Sequence, residues 1–351
     1  MRALLINFVT TGATVVLLGT LTFPASRILT DSIATPVEKA SAAPPRVAPK
    51  RLFSLRAGPV SRWFGVYVDP WHVSAWARAV GAKPQVAAKF TSFSDRRPVS
   101  KFLRECERRR IRSVLISWEP WRPVPAALGV DAQRRPQPGY RNADIAAGAQ
   151  DAYIRGFARG LARFRGRVYL RYAHEMNGFW YPWSRDPRSY VRAWRRVVRI
   201  FRRAGASNVR FVWSVNPSLY LPRAQSRRNF SRYWPGSSYV DYVGSTMISF
   251  GGAKKYSVAR FYPTLVALRQ MYRKPLILTE TNTAYRGRVA WLRDLRHALR
   301  RSPWIRGVAW SQLPSRAKVH AGGTLGDVDW DVTKDPASAR VLRRIVTDGS
   351  G

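Results

Sequence analysis

Eight short apolar runs, spaced through the chain with helix-like stretches between them, predict an α/β protein built as a single (β/α)8 barrel of the TIM type. Three observations carry this reading. The alternation runs without a break from Leu52 onward, and the intervening segments are amphipathic at helical spacing. No glycine-rich phosphate loop follows the first strand candidate, which argues against an open doubly wound sheet that binds a nucleotide.

In chain order, FGVYVD (64 to 69) is the first strand candidate, and HVSAWARAVG follows it as a helix. QVAAKFTSF (85 to 93) is paired in the same way with VSKFLRECERRR, and SVLISWEPW (113 to 121) with the more distant DAYIRGFARGLARF. VYLRYAHEM (168 to 176) leads to SYVRAWRRVVRIFRRAG, where Val191, Trp194, Val197, Val198 and Phe201 make one apolar stripe. Arginines 192, 195, 196, 199, 202 and 203 fill its other faces. VRFVWSVNP (209 to 217) and YVDYVGSTM (239 to 247) are the fifth and sixth strands, with VARFYPTLVALRQMY after the sixth. PLILTET (275 to 281), VAWLRDLRHALRRS, GVAWSQL (307 to 313) and the helix PASARVLRRIV complete the pattern.

Composition sets the limits. A hydrophobic content of 46% in 351 residues is ample for a large core. The single cysteine, Cys106, rules out an intramolecular disulfide framework, and His72, His174, His297 and His320 are scattered without ligand spacing. No metal and no cofactor are expected.

Arg2 precedes an uncharged, mostly apolar stretch from Ala3 to Phe23, long enough either for an export signal or for a membrane anchor. Residues 1–34 are therefore expected to be a signal peptide or anchor, residues 35–51 a Pro/Ala-rich linker, and residues 52–347 the barrel. The expected location is extracytoplasmic, secreted or anchored through residues 3–23.

The net charge of +41 is carried mainly by arginine, 51 of the 61 basic residues. Such an excess favours anionic partners such as an acidic polysaccharide or a cell envelope; a solvated arginine-rich surface is the competing explanation. An export-like N-terminus and the lack of a recognised nucleic-acid-binding motif speak against nucleic acid. A monomer is expected.

Active sites of this fold lie at the carboxyl ends of the strands. Asp69, Trp118, Glu119, His174, Glu175, Trp213, Asn216, Glu280, Trp310 and Gln312 fall there. Glu175, at the end of the fourth candidate strand, is followed by the aromatic run of Trp180, Tyr181 and Trp183; Glu280 ends the seventh. Two carboxyl groups and sugar-stacking rings are what glycosidic bond cleavage needs. One group protonates the leaving oxygen, and the other, roughly 5 Å away in a retaining enzyme, attacks the anomeric carbon.

HEMNGFWYPW and LTET, with ISWEPW upstream and VAWSQL downstream, resemble glycoside hydrolase family 26, a β-mannanase-like family of retaining (β/α)8 enzymes. The similarity runs in order from about Phe64 to Leu313. The resemblance implies that Glu175 is the acid/base and Glu280 the nucleophile. It further implies substrate contacts for His174, Trp180, Trp183, Trp118, Asn216 and Trp310, with Trp310 as the floor of the subsite holding the cleaved sugar. The implied activity is retaining hydrolysis of a polysaccharide: β-mannan, β-glucan or an exopolysaccharide. Family members commonly carry a tyrosine after the sixth strand that contacts the nucleophile, whereas Met247 and Ile248 occupy that region here. Phe179 stands where mannanases often carry an acidic residue. A noncatalytic polysaccharide-binding barrel, recruited to acidic envelope polymers, is the alternative.

Overall fold

The computed structural model describes residues 61–95, 99–125, 128–219, 221–249, 256–283, 287–312 and 330–349. Within them the order is β1 (Trp63–Val66), α1 (Val73–Val80), β2 (Val86–Ser92), α2 (Val99–Arg108), β3 (Ser113–Glu119), α3 (Gly129–Gln133), α4 (Asn142–Ala147) and α5 (Asp151–Ala162). The second half runs β4 (Arg167–Tyr172), α6 (Pro187–Arg203), β5 (Val209–Val215), α7 (Arg223–Arg232), β6 (Tyr242–Ser249), α8 (Val258–Tyr272), β7 (Leu276–Thr283), α9 (Arg288–Arg300), β8 (Ile305–Trp310) and α10 (Pro336–Asp348). The expected signal or anchor segment, the linker and the first residues of the expected domain lie outside the described residues.

All eight strands are parallel and close into a barrel, β8 pairing back onto β1 through Trp63 with Gly307 and Val66 with Trp310. This is the (β/α)8 fold that the alternation predicts. Helix starts follow local chemistry. Asp186 accepts from Ser189 N with Pro187 in the first turn of α6, and Asp335 accepts from Ala337 N and Ser338 N with Pro336 opening α10. Helix α1 stops at Gly81, whose left-handed φ of 77° closes the last turn.

Because side chains alternate along a strand, the barrel interior is layered. Its amino-terminal part is apolar, with Val86, Ala88, Leu115, Tyr169, Val212, Ile277 and Ala309 packed together. Two residues further along the strands the interior turns polar: Leu115 gives way to Ser117, Tyr169 to Arg171, Val212 to Ser214 and Ile277 to Thr279. Gly244 admits that layer, since a Cβ there would lie 2.7 Å from Thr279 Cγ2 and 2.9 Å from Ser214 Cβ. The opposite strand faces pack against the helices as one large apolar cluster.

Candidate active site

Arg171 is the hub of the polar layer. It sits on β4, fully buried, two positions after Tyr169 on the same inward face. Its Nη1 donates to Glu280 Oε1 at 2.5 Å and to Ser117 Oγ at 3.2 Å, while Nη2 donates to Thr246 Oγ1 at 3.2 Å. Thr246 in turn donates to Glu175 Oε1. The two expected glutamates are thus joined through one guanidinium and one hydroxyl, across strands β4, β6 and β7.

Backbone irregularities bring the two acids inward. Strand β4 ends at Tyr172, and the chain then bends through left-handed conformations at Ala173 (φ 42°) and Glu175 (φ 52°), which non-glycine residues adopt at a cost. Ala173 N still donates to Trp118 O, and Glu175 N to Ser214 O, so the bend stays tied to both neighbouring strands. On β7, register shifts against β6 and β8 bracket Glu280. Consecutive residues then both reach the interior: Thr279 Oγ1 lies 2.9 Å from Ser214 Oγ, and Glu280 meets Arg171.

Glu175 is held by Thr246, by the indole N–H of Trp180 at 3.2 Å from Oε2, and by the Asn216 side chain. Burial and the charge of Glu280 hold its carboxyl above the usual carboxylate range, although Arg171 and the hydrogen-bond donors pull the other way. Gly178 makes the Trp180 contact possible, since a Cβ there would lie 2.5 Å from the Trp180 ring. Asn216 is positioned by Asn177, whose Oδ1 accepts from Asn216 N and whose Nδ2 donates to Asn216 O.

A third carboxyl group, Glu119 at the end of β3, is also buried here. Burial pushes it up to about 8, with Trp121 Nε1 donating to Oε2 at 3.1 Å and Arg171 as opposing influences. His174 Nε2 lies 3.1 Å from the Tyr181 hydroxyl and 3.9 Å from Glu119 Oε1. Burial and the Arg171 charge drive His174 well below the ordinary imidazole range, so it is neutral.

The other expected contacts are placed differently. Trp118 requires correction: it points out of the barrel, stacked on Phe157 of α5 at 4.3 Å and packed on Phe93 and Tyr172, because it alternates with the inward Ser117 and Glu119. Trp183 stacks on Tyr181 at 4.2 Å and donates to His174 O, so it supports the aromatic loop from within instead of presenting a face to a sugar. Trp310 ends β8 fully buried, in register with Val66 and Thr281, and among the described residues no hydrogen bond or ring contact ties it to the acids. In the sixth-strand region Met247 and Ile248 are buried apolar residues, and Thr246 just before them makes the polar contact. Glu280 takes its partner from Arg171 instead of from a tyrosine of that strand. Arg171 and Thr246 are absent from the sequence-based set. The one signal available was a charged residue at an inward position of an apolar strand.

Residues 152–336, from α5 to the start of α10, match the model of glycosyl hydrolase family 26. Endoglucanase H of Acetivibrio thermocellus is 24% identical over 313 residues, covering 83% of this chain and 30% of that protein. A β-1,3-xylanase of a Vibrio species is 34% identical over 103 residues, covering 29% of this chain and 21% of that protein. The chain thus aligns with less than a third of either relative's length. The catalytic domain of an endo-β-1,4-mannanase from Bacillus sp. JAMB-750 superposes with a TM-score of 0.58 at 15% identity, covering 83% of this chain and 89% of that one, which speaks for the shared fold. Since the family match spans more than half of the sequence and takes in both β4 and β7, this chain belongs to glycosyl hydrolase family 26.

Proposed function

We propose that the protein is a retaining β-glycoside hydrolase that cleaves a polysaccharide by double displacement, with Glu280 as nucleophile and Glu175 as acid/base. The observation that carries the proposal is the buried chain from Glu280 through Arg171 and Thr246 to Glu175, at the carboxyl ends of β7 and β4. Glu280 Oε1 is anchored by Arg171, and Oε2, without a hydrogen bond among the described residues, is the oxygen that attacks the anomeric carbon. As that bond forms, the bond to the leaving oxygen breaks and Glu175 delivers its proton there. The raised affinity of Glu175 for its proton suits this step. Glu175, then ionised, takes a proton from water, whose oxygen displaces Glu280 and releases the sugar with its original configuration.

Relatives are named for glucan, xylan and mannan chemistry, so the substrate class is a β-linked polysaccharide: β-mannan, β-glucan or an exopolysaccharide. The export-like residues 3–23 support action outside the cytoplasm, as a secreted or anchored protein. A noncatalytic sugar-binding barrel is the competing reading, and it has no use for two linked buried acids.

Alanine at Glu280 or Glu175 should lower turnover by roughly 10²–10⁴-fold or more. Azide should rescue the Glu280→Ala variant on an activated β-glycoside with an inverted glycosyl azide as product, and the Glu175→Ala variant with a retained one. Proton NMR of early wild-type product should show the β anomer first. Near-normal hydrolysis by either variant, or the α anomer first, overturns the assignment.

A further inference from the structure

Two groups of arginines on the helices differ in how their guanidinium groups are used. On α6, Arg196 pairs with Asp151, Arg195 donates to Pro235 O and lies over the Tyr239 ring, and Arg202 donates to Ser238 O. The cleft between α9 and α10 is different. It encloses about 120 Å³ and is lined by Arg293, Arg296, His297, Arg300, Val341 and Arg344. A second cleft of about 410 Å³ continues it past Arg296 and Arg300 to Arg62, Leu299, Pro303 and Asp348. Among the described residues Asp348 is the one acid in these linings, and Arg296 already engages it at 2.7 and 3.1 Å. Arg293, Arg300 and Arg344 are exposed and make no side-chain hydrogen bond or ion pair among the described residues.

We propose that this joined groove is a docking site for a single chain of a carboxylate-bearing polysaccharide, separate from the catalytic mouth. Arg62 precedes β1 and donates to Ile305 O at the start of β8, so the groove opens at the amino-terminal end of the barrel, opposite Glu175 and Glu280. Arg293, Arg296 and Arg300 follow one another along a single face of α9, spanning about 10 Å at the helical rise, which repeats charge along the groove as a polyanion repeats it along a chain. Guanidinium forks match carboxylates in a bidentate manner.

Three features select the polysaccharide. Two helices packed side by side leave only a narrow furrow between them, which suits one extended chain better than a double helix. Among the described residues the linings contain no Trp, Tyr or Phe on which single-stranded bases would stack. Among the described residues the exposed large hydrophobics, Trp71 and Leu128, lie outside these linings, so no apolar anchor for a lipid surface borders the groove there. The role of Arg300 as a cation favoured at the last turn of α9 does not extend to Arg293, which lies in the helix interior.

The test compares two triple variants of equal charge change: Arg293→Gln/Arg300→Gln/Arg344→Gln in the groove, and Arg155→Gln/Arg159→Gln/Arg163→Gln on α5 and its C-cap. Affinity for polygalacturonate is measured from 50 to 200 mM sodium chloride, with duplex DNA as a second probe and circular dichroism as the check on folding. The groove variant should lose at least tenfold in polygalacturonate affinity and show a flatter salt response, and the α5 variant less than twofold. Hydrolysis of a neutral polymer should be the same in all three proteins, so failure of this proposal is separable from failure of the catalytic assignment. Equal losses in both variants would mean that net charge alone does the binding, and no loss in either would remove the site. Groove-dependent binding of DNA without binding of polygalacturonate would overturn the choice of ligand.

Discussion

Around Arg171 three buried carboxyl groups share one cation, and the ion pair goes to Glu280. A buried guanidinium costs several kcal/mol to desolvate unless it is paired, which explains why both terminal nitrogens donate, to Glu280, Ser117 and Thr246. Burial, with only the Trp121 indole and a neutral His174 beside it, pushes Glu119 up to about 8. Its consequence for stability has a definite sign. Between the ordinary carboxylate range near 4.5 and about 8, the native chain holds a proton that the unfolded chain has released. Stability therefore falls as pH rises through that window, by up to roughly 1.4 kcal/mol per unit, and is unaffected by this group below it. Glu119→Gln keeps an acceptor for Trp121 and cannot ionise. The gap between variant and wild type in urea midpoint should therefore shift in favour of the variant from pH 5 to pH 8, and a gap independent of pH would sink this account.

At the scale of elements, the loop after β4 is the one whose backbone decides the chemistry. Gly178 lets Trp180 fold back over Glu175, so Gly178→Ala forces the ring away from the acid. The expected result is a folded protein with kcat/KM on polymer reduced at least about tenfold, equivalent to about 1.4 kcal/mol of transition-state stabilisation. Wild-type kinetics would mean that Trp180 plays no part. The strands and the long helices were legible because their periodicity is local, although β4 stops at Tyr172 and leaves His174 and Glu175 on the bend. Helices α3, α4 and α7 carry no such pattern. In α7, for instance, RAQSRRNFSR buries only Ser226 and Phe230 and has no apolar stripe to read. The two glutamates stood out from their strand-end positions and motifs. The Arg171 and Thr246 links could not, because they join residues 109, 75 and 71 positions apart and depend on shifts of register that no local pattern encodes.

For the whole molecule the dominant quantity is charge. With 61 basic residues against 20 acidic ones, most cations have no acidic partner, and apart from the buried Arg171–Glu280 pair those that do, such as Arg196 with Asp151 and Arg296 with Asp348, are partly exposed pairs of small value. Folding brings the excess charge closer together than it is in the expanded chain, so self-repulsion works against the native state. Salt shortens the reach of that repulsion from about 30 Å at 0.01 M to about 10 Å at 0.1 M, while the buried Arg171–Glu280 pair is screened much less. Raising sodium chloride from about 10 to 200 mM should therefore stabilise the protein, where most surface-paired proteins gain little. If 1–2 kcal/mol of repulsion is relieved, Tm rises by roughly 2–8 °C for a domain of this size. Differential scanning calorimetry at fixed pH decides it, and a Tm that stays flat or falls would show that attractive pairs among the arginines and acids outweigh the repulsion of the excess.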